Sequence, residues 1–280
     1  MSRRPGIAVV GSLNVDLTLR CDHLPHPGET ITGRNLTQSP GGKGANQALA
    51  AARLGAEVRM VGRTGADAYA EVALGNLRAA GVDLTLVGQA DSPTGIAMIL
   101  VDDTGENQIA VHPGANALLD LDDLDIGDAD AVICQLEIPG GAVAQAAQAT
   151  RGLFCLNAAP ALPVPPEALA RADVIVVNET EHAALPPTSA MIALTLGAAG
   201  AVLLKDGEQL ARAAAPAVTA VNTVGAGDTF VAAFVVGLVE GRRPGDALQR
   251  ACVAAALTVT REGAQTAMPT AAQVDDWRVT

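Results

Sequence analysis

Residues 222 to 230 read NTVGAGDTF, a glycine-rich turn that opens a helix and carries a carboxylate. That combination suits phosphoryl transfer. Gly225, Ala226 and Gly227 carry almost no side chain, so their backbone N–H groups can face an anion, and the helix that follows adds the positive end of its dipole. Charge developing on a migrating phosphoryl group is stabilised in such a place. Asp228, at the start of that helix, can accept the proton of an attacking hydroxyl, a function typically worth roughly 10²–10⁴ in rate. The same stretch also reads as an ordinary helix N-terminus capped by Asp228, and taken alone it fits both.

A polyhydroxylated acceptor needs several short polar groups, because each buried hydroxyl left unpaired costs about 1–3 kcal/mol. Asn14 and Asp16 alternate along a strand-like segment, which sends both to one face, as vicinal hydroxyls require. The plainer reading is the polar edge of a half-exposed strand. Lys43 lies in GGKGA, which is not a P-loop, since Gly44 stands where Ser or Thr is needed and the upstream glycine is off the spacing. Nor does GAGDTF supply the third glycine of a dinucleotide fingerprint. Lys43 and Lys205 are the only two lysines of the chain. Asn178 and Glu181 sit three apart in NETE, just after strand-like DVIVV, where α/β sheets place ligand-binding residues. Mg²⁺ keeps several of its waters, so one amide and one carboxylate suffice to order it there. The pair also matches a helix capping box, and both roles are compatible.

GAGD followed by TF resembles the second signature of the ribokinase family of carbohydrate kinases, the PfkB type. PGGKGANQALAAARLGA at 40 to 56 resembles the first signature. GSLNVDL at 11–17, PGET at 27–30, TG at 94–95, QLE at 135–137, NETE at 178–181 and TLG at 195–197 follow in the family's order, so the resemblance runs from residue 11 to residue 269. GGKGANQA is closer to the ribose-specific branch than to the adenosine or fructose kinases. The resemblance implies an α/β, ribokinase-like fold: a central, mostly parallel sheet covered by helices on both faces, with a small β-sheet lid from about 13–40 and 90–112, within one kinase domain spanning 1–280. It implies ATP-dependent phosphorylation of the primary hydroxyl of D-ribose. Asn14, Asp16, Gly42, Lys43, Asn46, Glu137 and Asp228 are then the sugar residues. Asn178, Thr195, Gly197, Gly200 and Gly227 face ATP, Asn178 and Glu181 order Mg²⁺ partly through water, and the lid joins a homodimer. The alternatives are a kinase of the same family acting on deoxyribose, fructose, a deoxy-sugar acid, adenosine or pseudouridine, and a sugar or nucleotide sensor without turnover.

Three features depart from the family pattern. Asn222 stands where an Asp usually helps bind a monovalent cation, and Ala267 where some members have Ser. Main-chain oxygens near Val224, Thr258, Arg261 and Gly263 remain, so the expectation is a weakened or absent K⁺ site. The connection from NETE to TLG is only HAALPPTSAMIAL, with Pro186 and Pro187, so one covering helix is expected to be missing or reduced.

These groups must be carried by the elements between them. IAVV, AVICQL, LFCLN, DVIVVN and AVLL read as buried strands, and 44–54, 67–80, 140–150 and 228–240 as covering helices. PALPVPPEA at 160–168 reads as loop. The 280 residues carry 30 acidic and 18 basic side chains, a net charge of −12, with 2% aromatics. That argues against nucleic-acid binding. An anionic protein that binds a nucleotide must reverse its field locally, with N–H dipoles and a divalent metal. Cys21, Cys134, Cys155 and Cys252 form neither a C-x-x-C pair nor a zinc spacing, which favours free thiols and a cytoplasmic location. Arg3 and Arg4 before IAVVGSL are too weak a pattern for a signal peptide. The longest apolar run, VAAFVVGLV, is shorter than the ~20 residues a bilayer requires. His23, His26, His112 and His182 are read as surface or supporting residues.

Overall fold

The computed structural model describes residues 3–122 and 126–277. Its strands are β1 (Gly6–Val10), β2 (Asn14–Arg20), β3 (Asn35–Gly41), β4 (Glu57–Gly65), β5 (Asp83–Ala90), β6 (Gly95–Val101), β7 (Asn107–His112), β8 (Ala131–Gln135), β9 (Leu153–Asn157), β10 (Val174–Asn178), β11 (Met191–Thr195), β12 (Ala201–Lys205) and β13 (Glu208–Ala213). The helices are α1 (Lys43–Arg53), α2 (Ala68–Ala79), α3 (Gly140–Ala149), α4 (Pro166–Arg171), α5 (Glu179–Ala184), α6 (Ala226–Val239), α7 (Pro244–Val259) and α8 (Ala271–Asp275).

Strand β1 shows why the sheet is covered twice. Its side chains alternate, and both sets are apolar. Ile7 and Val9 enter one core with Leu49 of α1, Phe230 and Phe234 of α6 and Leu248 of α7, while Ala8 and Val10 enter a second with Val143 of α3, Phe154 and Ile175. The nine-stranded sheet has the order β13-β12-β11-β10-β9-β8-β1-β4-β5. From β11 to β5 neighbouring strands run parallel, and β12 and β13 close one edge antiparallel. This is the architecture the family resemblance implies.

A second sheet, β3-β2-β6-β7, rises from the end of β1 through the three residues Gly11–Leu13. Its strands come from the two segments expected to form a lid. The register puts Leu17, Leu19, Leu36, Met98 and Leu100 on one face and Asn14 and Asp16 on the other. Leu36 and Met98 are 66% and 56% exposed.

Two loops depart from the sequence reading. Residues 166–168, read as loop, open α4, because Pro166 sits at the first helical position, where its missing N–H costs nothing. The segment between Glu181 and Thr195 keeps one short helix, α5, before Pro186 and Pro187 carry the chain into β11, which is the expected reduction.

The glycines of GGKGA let α1 press its N-terminus onto the Gly11–Leu13 link. Gly42 has φ 88°, and a Cβ on Gly44 would lie 2.5 Å from the Ser12 nitrogen, a contact backbone cannot relieve cheaply. Ala45 N–H donates to the Ser12 carbonyl at 2.9 Å, so the start of α1 is fixed beside the base of the small sheet.

Candidate active site

Gly225 caps α6 in the left-handed conformation, φ 79°, which a glycine adopts without strain. Before it, Val224 N–H donates to Asn222 Oδ1 at 2.8 Å, and Ala226 N–H makes a long 3.3 Å bond to the Thr223 carbonyl. Asp228 is the third residue of α6 and does not cap it, which corrects the plainer sequence reading. Its side chain turns toward α1, where Asn46 Nδ2 donates to Oδ2 at 2.9 Å and Gln47 Nε2 to Oδ1 at 3.0 Å. Burial pushes its carboxyl up to about 6, against the Lys43 charge and the two amide donors, with Glu137 adding repulsion. Both of its oxygens accept from amide donors, as a carboxylate does, and the upward shift makes it a stronger base than an ordinary carboxylate.

The small sheet brings its polar face to the same place. Asn14 is buried, and its Oδ1 accepts from Asn116 Nδ2 at 2.8 Å, while Asn116 Oδ1 accepts from Leu13 N–H at 2.8 Å. Asp16 lies against Gly41, and burial, then Glu137, then Asp228 push its carboxyl up to about 6. Glu137, just beyond β8, accepts from Ser12 Oγ at 2.6 Å and from the Lys43 backbone N–H at 3.0 Å. One of its oxygens therefore serves as the cap that Gly42 cannot supply to α1. Desolvation favours a neutral Lys43 amine, but Asp228, Glu137 and Glu181 together outweigh it and hold the ammonium above its usual pKa. Lys43 thus faces both the carboxylate cluster and the NETE segment.

At the end of β10, Asn178 Oδ1 accepts from Glu181 N–H at 2.9 Å and Glu181 Oε2 accepts from Asn178 N–H at 2.8 Å, a complete capping box. Thr195 Oγ1 donates to the Val177 carbonyl at 3.2 Å. Gly197 has φ 55° and open space beside it. Gly200 is a packing necessity, since a Cβ there would meet the Ala213 carbonyl oxygen at 2.0 Å. Of the residues considered for a monovalent cation, Asn222 already spends its side-chain oxygen on the turn, and Thr258 Oγ1 donates inward to Thr229 or the Ala254 carbonyl. Val224 is half exposed, Ala267 is buried, and Arg261 and Gly263 lie in the loop after α7.

The family model for pfkB family carbohydrate kinases matches residues 4–271. The chain belongs to that family. It is 38% identical to a ribokinase of Lactococcus lactis, over 96% of this chain and 95% of the relative, and 38% identical to one of Bacillus subtilis, over 96% and 98%. Among solved structures, Arabidopsis thaliana ribokinase complexed with ribose and ATP superposes with a TM-score of 0.88 at 34% identity, covering 97% of this chain and 98% of that one.

In this pfkB-family chain Asn14, Asp16, Lys43, Asn46, Glu137 and Asp228 converge, whereas Thr195, Gly197 and Gly200 stand further along the same edge of the large sheet. Sequence reading does not single out Ser12, Gln47, Asn116, Gln135 or Asn157, which hold the converging groups from behind. A groove of about 450 Å³ among Arg4, Glu57, Arg59 and Asp83 lies at the opposite ends of β1 and β4 and contains none of these residues. A raised carboxyl stabilises the folded chain only while protonated, so Asp16 contributes below its unfolded value of 3.8 and loses that contribution as pH rises through about 6. Asp16→Asn is therefore expected to melt at a higher temperature than the parent at pH 8, with the difference narrowing toward pH 5. A lower melting temperature at pH 8 would contradict the charge penalty.

Proposed function

We propose that the protein transfers the γ-phosphoryl group of ATP to the primary (5-) hydroxyl of D-ribose, giving ribose 5-phosphate. The observation that carries this is a buried Asp228 in the first turn of a glycine-rich helix N-terminus, accepting amide hydrogens from Asn46 and Gln47, with Lys43 and the polar face of β2 beside it. The 38% identity to ribokinases supports ribose as the acceptor.

In this reading Asn14, Asp16, Gly42, Lys43, Asn46 and Glu137 hold the sugar hydroxyls, with Asp16 and Glu137 as acceptors and Asn14 and Asn46 as donors or acceptors. Asp228 takes the proton of the attacking hydroxyl while its oxygen forms the new bond to Pγ and the bond to the ADP oxygen breaks. The Gly225, Ala226 and Gly227 N–H groups and Lys43 face the charge on the migrating group. Asn178, Thr195, Gly197, Gly200 and Gly227 border the nucleotide. Asn178 and Glu181 fit Mg²⁺: the capping box occupies one oxygen of Glu181 and leaves the other to order a hydrated cation. Among the described residues no cluster of three or more His, Cys, Asp or Glu could hold a bare ion, so the hold would run through water. Bound there, Mg²⁺ would neutralise charge on the triphosphate.

Four buried free cysteines support a reducing compartment and hence the cytoplasm, and no helix among the described residues is long and apolar enough to cross a membrane. The charge of −12 disfavours nucleic acid as a partner. Residues 13–40 and 90–112 act as a lid on a single kinase domain, and the exposed apolar face around Leu36 and Met98 supports pairing of two lids in a homodimer. Light scattering at micromolar concentration is expected to give twice the mass of one chain.

ADP release with ATP and Mg²⁺ across ribose, 2-deoxyribose, fructose, adenosine and pseudouridine tests the acceptor. Ribose is expected to lead, and Asp228→Asn to cut its turnover roughly 10²-fold or more while changing sugar affinity only a few-fold. Preference for another acceptor reassigns the pocket, and ribose binding without turnover leaves a sensor. Because Asn222 is neutral and Ala267 lacks a hydroxyl, activation by KCl over NaCl at equal ionic strength is expected to be reduced or absent. Strong saturable stimulation by KCl would contradict that.

A further inference from the structure

Gln47 follows Asn46 in α1 and is fully buried, so the carboxylate it touches is reached from the side away from solvent. Its Nε2 donates to Asp228 Oδ1 at 3.0 Å and to Asn157 Oδ1 at 2.9 Å, and its Oε1 accepts from Gln135 Nε2 at 2.7 Å. Both amide hydrogens and the amide oxygen are therefore used. Asn157 is fixed in turn, since its Nδ2 donates to the Val176 carbonyl at 3.1 Å.

The direction of this relay is set by charge. An ionised carboxylate only accepts, so Gln47 must turn its NH₂ toward Asp228, which turns its oxygen toward Gln135. Gln135 must then donate, and its own Oε1 is left buried without a hydrogen-bond partner. Buried unpaired acceptors are few in folded proteins. Reversing Gln135 would set its oxygen against that of Gln47. The unpaired atom is thus the far end of an arrangement whose near end is the Asp228 carboxylate.

We propose that Gln47, kept in orientation by Gln135, is the positioning residue that fixes the Asp228 carboxylate for proton transfer from the acceptor hydroxyl. This rests on the reading of Asp228 as the base. Asn46 supplies the second amide, but it also faces the sugar, whereas Gln47 touches only the carboxylate and the relay behind it. The charged and titratable groups around Asp228 are Lys43 from α1, Glu137 from beyond β8 and Asp16 from β2. None of them is altered by a change at Gln47. A hydrogen bond to the ionised form lowers a carboxyl pKa, so losing the Gln47 donor raises that of Asp228.

Gln47→Met keeps length and volume and removes the amide; Gln135→Met leaves Gln47 in place and removes what orients it. With ribose, ATP and Mg²⁺, Gln47→Met is expected to lower kcat on the order of tenfold, to leave the KM for ribose within about threefold, and to move the acidic limb of the kcat profile to higher pH. Gln135→Met is expected to shift the limb the same way by less. An unchanged acidic limb in both variants, or a rise in KM with kcat intact, would overturn the proposal. If Gln47→Met does not fold, the limb of Gln135→Met decides alone. Asp228→Asn keeps the two failures apart: full turnover in that variant removes the base reading itself, while loss of turnover there with parental profiles in the Gln variants removes only the role of Gln47.

Discussion

Taking a carboxylate out of water costs several kcal/mol unless donors replace its hydration, and the surroundings of Asp228 are arranged around that cost. Asn46 and Gln47 each give one oxygen an amide hydrogen, and Lys43 adds a charge. Hydrogen bonds to charged groups contribute about 1.5–3 kcal/mol each, yet the carboxyl still stands near 6 rather than near 4, so burial wins over the compensation. A fully compensated carboxylate would be a weaker base. The residual strain is the property the proposed chemistry uses.

That requirement extends outward into the fold. For Asn46 and Gln47 to reach Asp228, α1 must start at the foot of the small sheet, which needs Gly42 and Gly44 against Ser12 and Asn14. Glu137 then caps α1 and adds a negative charge to the cluster formed with Asp16 and Asp228. In a chain of charge −12, Lys43 is the cation on which Asp228, Glu137 and Glu181 all act. In the proposed reaction an anionic phosphate would meet backbone N–H groups and one ammonium there, which offsets the chain's overall negative charge locally.

Much of this was legible in the sequence, for physical reasons. β1, β8, β9 and β10 are buried on both faces and so read as continuous apolar runs. The glycine turns stand out because few other residues tolerate their geometry. β4 was harder to see: EVRMVGRTG carries Arg59, which pairs with Asp83 near the sheet edge, and that breaks the apolar run. Helix α7 begins on Pro244 and Gly245, which look like loop, and is held by packing on α6. The relay of Gln47, Gln135 and Asn157 was invisible, because an amide in an Ala-rich helix looks solvated until the partner 88 or 110 residues away is brought beside it. Asn116 belongs to the same class, joined to Asn14 across 102 residues.

In the proposed reaction Asp228 faces a primary hydroxyl of the bound sugar and directs the phosphoryl group there. Proton-coupled ³¹P NMR of the product formed from ribose and ATP reads the position directly. Phosphate on carbon 5 is coupled to two methylene protons and gives a triplet, the result this account requires. A doublet, from phosphate on carbon 1 or another secondary position, would contradict it.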